Sequence, residues 1–264
     1  MILEALNYAA SWPLTPAAFR PYLSSSVNLW SRARRCAADW EPHEIHCRAT
    51  IEETVSLLSQ RRSCVVLGSG LLRDVPIAAL SRAFDTVILV DLVHLATVRM
   101  GLAFRGLRNV RLISRDLLAD DPSPSGEAAE PLAFLRQVPY LDLVISANLL
   151  SQLGIGQARR LDRTRPDLGE DERKAILKSV IARHLEGLRQ LPCPAQLITD
   201  IRFDILDRTG RREDGVDLMH GVPLPEEQAS WDWMVAPMGE SAKNYALRHR
   251  VMVHLFNAPR RQTS

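Results

Sequence analysis

The chain has 264 residues, 46% of them hydrophobic and 24% charged, with a formal net charge of +2. That is enough chain for one sizeable core, and so small a charge does not by itself argue for a nucleic-acid binder. The four cysteines, Cys36, Cys47, Cys64 and Cys193, are scattered, which excludes a CxxC zinc motif and a disulfide framework and implies a reducing, cytoplasmic setting with no metal site.

All but three of the 33 basic residues are arginines, the lysines being Lys174, Lys178 and Lys243. Residues 1–20 lack a basic segment followed by a long apolar run, so no signal peptide is expected. The most apolar stretch, "TVILVDLVHLATV", is interrupted by Asp91 and His94 and is too short to span a bilayer.

Residues 1–60 read as a helical N-terminal extension. "SSSVNLWSRARRCAADW" opens on serines that suit a helix cap. "EPHEIHCRATIEETVSLLSQ" carries Pro42 early, where a helix tolerates it, then Ile45, Ile51, Val55 and Leu58 at roughly helical spacing. Arg32, Arg34, Arg35, Trp40, His43 and His46 lie in this segment. Three roles suit them: a cap over a ligand, a contact to RNA phosphate, or a solvated helix face with Trp40 in the core.

From Ser63 the pattern alternates strand and helix. "CVVLG", "TVILVD", "VRLISRD", "LDLVISANLL" and "AQLITDI" read as buried strands, and "DVPIAALSRAF", "LVHLATVRMGLAFRG" and "DERKAILKSVIARHLEGLRQL" as helices. "SWDWMVAP" and "RHRVMVHLFN" read as an antiparallel pair with no long helix between them. The pattern predicts an α/β fold: a doubly wound, mostly parallel seven-stranded sheet with a C-terminal antiparallel hairpin, spanning residues 61–264. Ala119–Pro131 and Gly154–Asp171 read as exposed loops, the second as a mobile lid.

Gly68-Ser69-Gly70 sits between the first strand and its helix. Glycines there allow a tight turn and let a ligand approach the backbone. A plain strand-to-helix turn explains them as well. Asp91 closes the second strand 21 residues after Gly70. A carboxylate there can accept hydrogen bonds from both ribose hydroxyls of an adenosine cofactor, or simply cap a helix. Asp116 closes the third strand, and Ser146 and Asn148 close the fourth. A nicotinamide dinucleotide is disfavoured. The last position of GxGxxG is Arg73, and no Tyr-x-x-x-Lys pair is present.

This order of motifs resembles the class I S-adenosylmethionine-dependent methyltransferases over roughly residues 63–257. The resemblance implies S-adenosyl-L-methionine as cofactor, bound by Gly68, Ser69, Gly70, Arg73, Asp91, Leu92, Asp116, Leu117, Ser146 and Asn148. Val66 and Leu72 stand where the family often has an acid and a third glycine. Leu72 is expected to narrow the loop or to pack on the N-terminal segment.

Methyl transfer needs alignment and sometimes proton removal. Asn148 is the best-placed catalytic candidate in the shared core. His220 and Glu240, near Trp231 and Trp233, are the others, since a wall of Trp, His and Glu suits a small aromatic or cationic acceptor. Core tryptophans with His220 and Glu240 in loops is the simpler reading of that stretch. A small-molecule acceptor is expected. The rivals are an RNA or protein methyltransferase and a cofactor-binding protein of this fold without catalytic activity.

Overall fold

The computed structural model describes residues 1–118 and 130–259. The chain opens with helices α1 (Ile2–Ser11), α2 (Leu23–Arg35) and α3 (Ala37–Ser56). No side chain caps α2, which starts before the serines. Pro42 lies inside α3 rather than at its start.

Strands β1 (Ser63–Leu67), β2 (Thr86–Asp91), β3 (Val110–Ser114) and β4 (Leu141–Ala147) follow, with α4 (Ile77–Ala83) and α5 (Ala96–Phe104) between them. Then come α6 (Leu150–Thr164), α7 (Glu170–Arg189) and β5 (Ala195–Leu206). The chain ends with β6 (Arg212–Asp217), β7 (Ala229–Ala236) and β8 (Ala246–Phe256).

The strands form one sheet in the order β3-β2-β1-β4-β5-β8-β7, with β6 paired to β5. The pairs β1–β2, β1–β4, β2–β3 and β4–β5 are parallel. The pairs β5–β8, β7–β8 and β5–β6 are antiparallel. This is the doubly wound sheet with a closing antiparallel pair that the sequence predicts.

Every residue of β1 is buried, as a central strand covered on both faces requires. Its alternate side chains enter two cores. Cys64 and Val66 meet Val27 of α2, Ile51 of α3, Leu80 of α4 and Val98 of α5. Val65 and Leu67 meet Leu153 of α6 and Ile181 and Leu185 of α7. The N-terminal helices thus share the main core rather than forming one of their own. A full burial of each such aliphatic side chain contributes about 1.5–3 kcal/mol.

Two larger features also differ from the sequence reading. The eighth strand, β6, has no apolar alternation and five of its six residues are exposed. It forms because a turn anchored by Asp207 Oδ1, which accepts the Thr209 and Arg211 N–H groups, folds it back on the second half of β5. The expected loop from Gly154 is mostly helix. Leu150, Leu153 and Leu161 are buried at helical spacing, while Gly154 and Gly156 hide that period. The two glycines also let α6 approach its neighbours: a Cβ on Gly154 would lie 3.2 Å from His220 Nε2, and one on Gly156 3.0 Å from Leu118. Of the other predicted loop, residues 119–129 lie outside the described residues.

Candidate functional site

The C-terminal ends of β1, β2 and β4 and the loop after β3 open into one cleft of about 1510 Å³, larger than a single small ligand needs. The glycine turn, Asp91, Asp116 and Asn148 form its floor. Residues of α2 and α3, among them Arg32, Arg35, Trp40 and His43, form one wall, and Ile155, Gly156, Arg159 and Arg163 of α6 form another. This is the crevice at the strand ends where open α/β sheets bind ligands.

The two glycines have different causes. Gly68 has φ +73°, and a Cβ there would lie 2.8 Å from Leu149 Cβ and 2.9 Å from Ala147 O. Packing against the end of β4 therefore demands it, with or without a ligand. Gly70 has φ +48°, and a Cβ there would meet nothing nearer than 3.8 Å. Its face toward the cleft is open. The Gly70 N–H donates to Asp91 Oδ2 at 2.7 Å, and the Leu92 N–H donates to Oδ1 at 2.7 Å. Asp91 thus clamps the glycine turn. Each oxygen accepts a backbone N–H and keeps further lone pairs for a ligand. Burial pushes the Asp91 carboxyl above its usual range, against the opposing pull of the Gly70 N–H.

The leucines after the turn tie it to the N-terminal helices. Leu71 packs on the cluster of Ala33, Cys36 and Trp40. Leu72 adopts φ +59°, and its N–H closes a turn on Ser69 O at 3.0 Å. Arg73 Nε donates to Glu44 of α3 at 2.5 Å, and Arg48 donates to the Arg73 carbonyl. So Arg73 is paired with α3. The next helix, α4, starts only at Ile77, so its first N–H groups are not part of the turn.

Asn148 stands at φ +49° after β4, held by its N–H to Ile198 O at 2.8 Å. Its Nδ2 donates to Asp74 Oδ2 at 2.6 Å, and its Oδ1 is buried without a partner. Burial raises the Asp74 carboxyl. His43 of α3 lies beside it, with Nε2 3.3 Å from Asn148 Nδ2 and 3.5 Å from Cys47 Sγ. Its ring stacks on Trp233 at 3.9 Å between centroids. Its Nδ1 accepts the Trp231 Nε1–H at 3.0 Å, so the ring proton of the neutral imidazole sits on Nε2 and points to the Cys47 sulfur. Burial lowers the His43 pKa to about 3.

His43, Cys47 and Asp74 bring three potential ligand atoms within 4.8 Å of one another. They do not suit a metal ion. A metal-bound imidazole needs one lone pair for the ion, and here one nitrogen accepts from Trp231 while the other carries the proton. Burial also raises the Cys47 thiol, which opposes the thiolate a metal requires.

Of the predicted site residues, Gly68, Gly70, Arg73, Asp91, Leu92, Asp116, Leu117 and Asn148 line the cleft. Ser69 is buried beneath it with an unpartnered Oγ. Asp116 Oδ1 accepts the Leu118 N–H at 2.9 Å. Three candidates are turned elsewhere. Ser146 lies on the opposite face of β4, with Oγ 3.0 Å from His184 Nε2 of α7. His220, at φ +51°, packs behind Gly154 and is not on the cleft wall. Glu240 accepts from Arg35 Nη2 at 2.6 Å and from Arg32 Nε at 3.3 Å. It anchors the end of α2, and Arg35 holds its carboxyl below the usual range. Asp74 lines the cleft too, and Glu44 and Asp200 line it and escaped the sequence reading. Asp200 carries the one readable signal, an acid breaking the apolar run "AQLITDI" as Asp91 breaks its own.

The set fits an adenosine-containing cofactor. Asp91 offers acceptor capacity for ribose hydroxyls. Leu92 and Leu117 would give a base apolar surface, and the orphaned Asn148 Oδ1 would accept from an ammonium group.

No family profile matches the chain, and no curated protein sequence matches it. Solved structures do. The CurJ carbon methyltransferase aligns at 16% identity and a TM-score of 0.30, over 54% of this chain and 30% of that one. The chain thus spans under a third of that protein. An rRNA methylase from Streptococcus thermophilus aligns at 11% and 0.36, over 79% and 95%. A SAM-dependent methyltransferase from Aquifex aeolicus aligns at 11% and 0.34, over 78% and 88%. At these values the likenesses carry nothing about cofactor or acceptor. Among the described residues, no helix is long and apolar enough to cross a membrane.

Proposed function

We propose that this chain is a methyltransferase that binds S-adenosylmethionine and methylates a small molecule. The observation that carries this reading is the clamp of the glycine turn by Asp91, made at the floor of the cleft. It sets a carboxylate with spare lone pairs beside an open glycine face, where a ribose would lie. When bound, the sulfonium supplies a methyl group for in-line displacement. The chain then has to orient an acceptor and exclude water. Residues 1–60 serve as a cap on a catalytic domain of residues 61–264, since α2 and α3 form a wall of the cleft and share its core. Such enclosure suits a small acceptor.

Calorimetry with S-adenosylhomocysteine tests the reading. The wild type binds it, and Asp91→Ala weakens binding by about 10- to 100-fold, the worth of hydrogen bonds to a charged group. Unchanged affinity in the variant rejects the role of Asp91, and no binding to the wild type rejects the cofactor. The arginines of α6 at the rim, Arg159, Arg160 and Arg163, favour an RNA acceptor as the second reading. That reading predicts RNA binding that weakens steeply with salt.

A further inference from the structure

Helix α1 is built inside out. Its buried residues are the polar Asn7 and Ser11, while Ile2, Leu3 and Leu6 are 78%, 50% and 60% exposed. Ala9 and Ala10 are exposed on the same stripe. These five stand at i, i+1, i+4, i+7 and i+8, the spacing of a helix face that packs on a core, and here that face meets solvent. Trp12 and Leu14, just past the helix, extend the exposed apolar surface.

Polar bonds hold α1 in this orientation. Ser11 Oγ accepts the Ala96 N–H at 2.8 Å and so caps α5, which has no side-chain cap of its own at Leu95. The same hydroxyl donates to Asn7 Oδ1 at 3.3 Å. Glu4, the one charged side chain of α1, accepts the Ser31 hydroxyl of α2 at 2.5 Å. Tyr8 packs on the main core. Rolling α1 to bury Leu3 and Leu6 would break all of these contacts, so the stripe is left for an occupant outside the described residues.

We infer that this occupant is a second copy of the chain, with α1 packed against α1 about a two-fold axis. The inference goes beyond the methyltransferase reading and does not rest on it. Near a two-fold axis like meets like, so a charge there would face its own copy. The stripe carries none, and the nearest charge sits at its end, where the Arg20 guanidinium lies over the Trp12 ring at 4.8 Å. A neutral apolar centre with charge at the rim is the anatomy of a stable interface. At ordinary residue areas, the exposed residues of the segment 2–14 leave roughly 700 Å² open on one copy, close to the ~800 Å² that each partner gives to a stable interface. A formal net charge of +2 gives two copies little mutual repulsion. Other occupants fit less well. An interfacial membrane helix carries Lys or Arg on its polar face, and α1 has neither. A different protein would gain specificity from charge contrast, which this face does not offer.

The test is sedimentation velocity of the full chain at tens of micromolar. The wild type is expected to run as a dimer. The double variant Leu3→Glu, Leu6→Glu is expected to run as a monomer with unchanged circular dichroism, its dissociation constant raised at least about tenfold by the carboxylates brought together. Crosslinking is the second readout and does not depend on that variant folding. All four native cysteines are buried. Ala9→Cys therefore presents an exposed thiol, and a short bismaleimide is expected to join two copies through it. Tyr140→Cys, exposed at the opposite end of the sheet, is expected to crosslink far less. A monomeric wild type, a dimer that survives the double variant, or equal crosslinking at the two cysteines overturns the inference. So does binding of the wild type to phosphatidylcholine–phosphatidylglycerol vesicles that the double variant loses, which would make the stripe a membrane contact.

Discussion

The indole N–H of Trp231 donates to His43 Nδ1 at 3.0 Å. This bond decides what the cluster beneath α3 can do. It commits one imidazole nitrogen as acceptor and the other as donor, so His43 is a structural group and leaves Asn148 to face the cleft.

The first prediction follows. Trp231→Phe keeps the ring but orphans a buried acceptor, and should cost about 1–3 kcal/mol in urea unfolding. Zinc titrated into the wild type should show no stoichiometric binding at His43, Cys47 and Asp74. Tight binding of one zinc ion, lost in Cys47→Ser, would refute the assigned tautomer.

The two glycines of the turn should separate fold from function. Gly68→Ala places a methyl group 2.8 Å from Leu149 Cβ and strains φ +73°, so it should cost at least about 2 kcal/mol, strain and overpacking together. Gly70→Ala meets open space at φ +48° and should cost only about 1–2 kcal/mol. Its methyl group enters the cleft, so S-adenosylhomocysteine affinity should fall by at least about tenfold, or 1.4 kcal/mol. Equal stability losses, or full affinity in Gly70→Ala, would contradict this division.

The contrast also marks what the sequence could reveal. Strand β1 and the acid closing β2 were readable because central strands are apolar throughout, and a polar residue at their ends stands out. Strand β6 was not, because among the described residues it pairs with β5 alone and five of its six side chains face water. Helix α6 was obscured by glycines whose causes are neighbours distant in the chain, His220 for Gly154 and Leu118 for Gly156. The pairs His43–Trp231 and Asp200–His249 join strands and helices 188 and 49 residues apart. Only the closing of the sheet by β8 and β7 brings them together. Glycine-turn geometry is local and left a motif. The pairing of side chains across the sheet is set by topology and left none.

Glu240 should prove to be an anchor and not a catalyst. Its carboxylate ties Arg32 and Arg35 at the end of α2, but those side chains are 40% and 54% exposed. Solvent screening therefore limits the loss in Glu240→Gln to under about 1 kcal/mol. Amide hydrogen exchange at residues 30–36 should quicken, while S-adenosylhomocysteine affinity stays within threefold. A large loss of cofactor affinity with no change in exchange would show instead that Glu240 acts at the ligand.

The pH dependence of stability should carry the mark of His184. It is fully buried on α7, with Nε2 against the Ser146 hydroxyl and Nδ1 unpartnered. Burial lowers its pKa from 6.5 to about 4. Between those values the unfolded chain binds the proton and the folded chain does not, so stability falls as pH drops. From pH 8 to pH 5 this residue alone should remove about 2 kcal/mol. His43, lowered to about 3, acts in the same sense. Asp74 and Asp91 act in the opposite sense, because their raised pKa lets the folded chain hold protons that the unfolded chain releases. A variant isolates the single term. His184→Gln keeps an amide for Ser146 but cannot titrate, so its urea-derived stability should fall less than that of the wild type from pH 8 to pH 5, by about 2 kcal/mol. Parallel pH profiles for the two proteins would mean that His184 is protonated in the folded state.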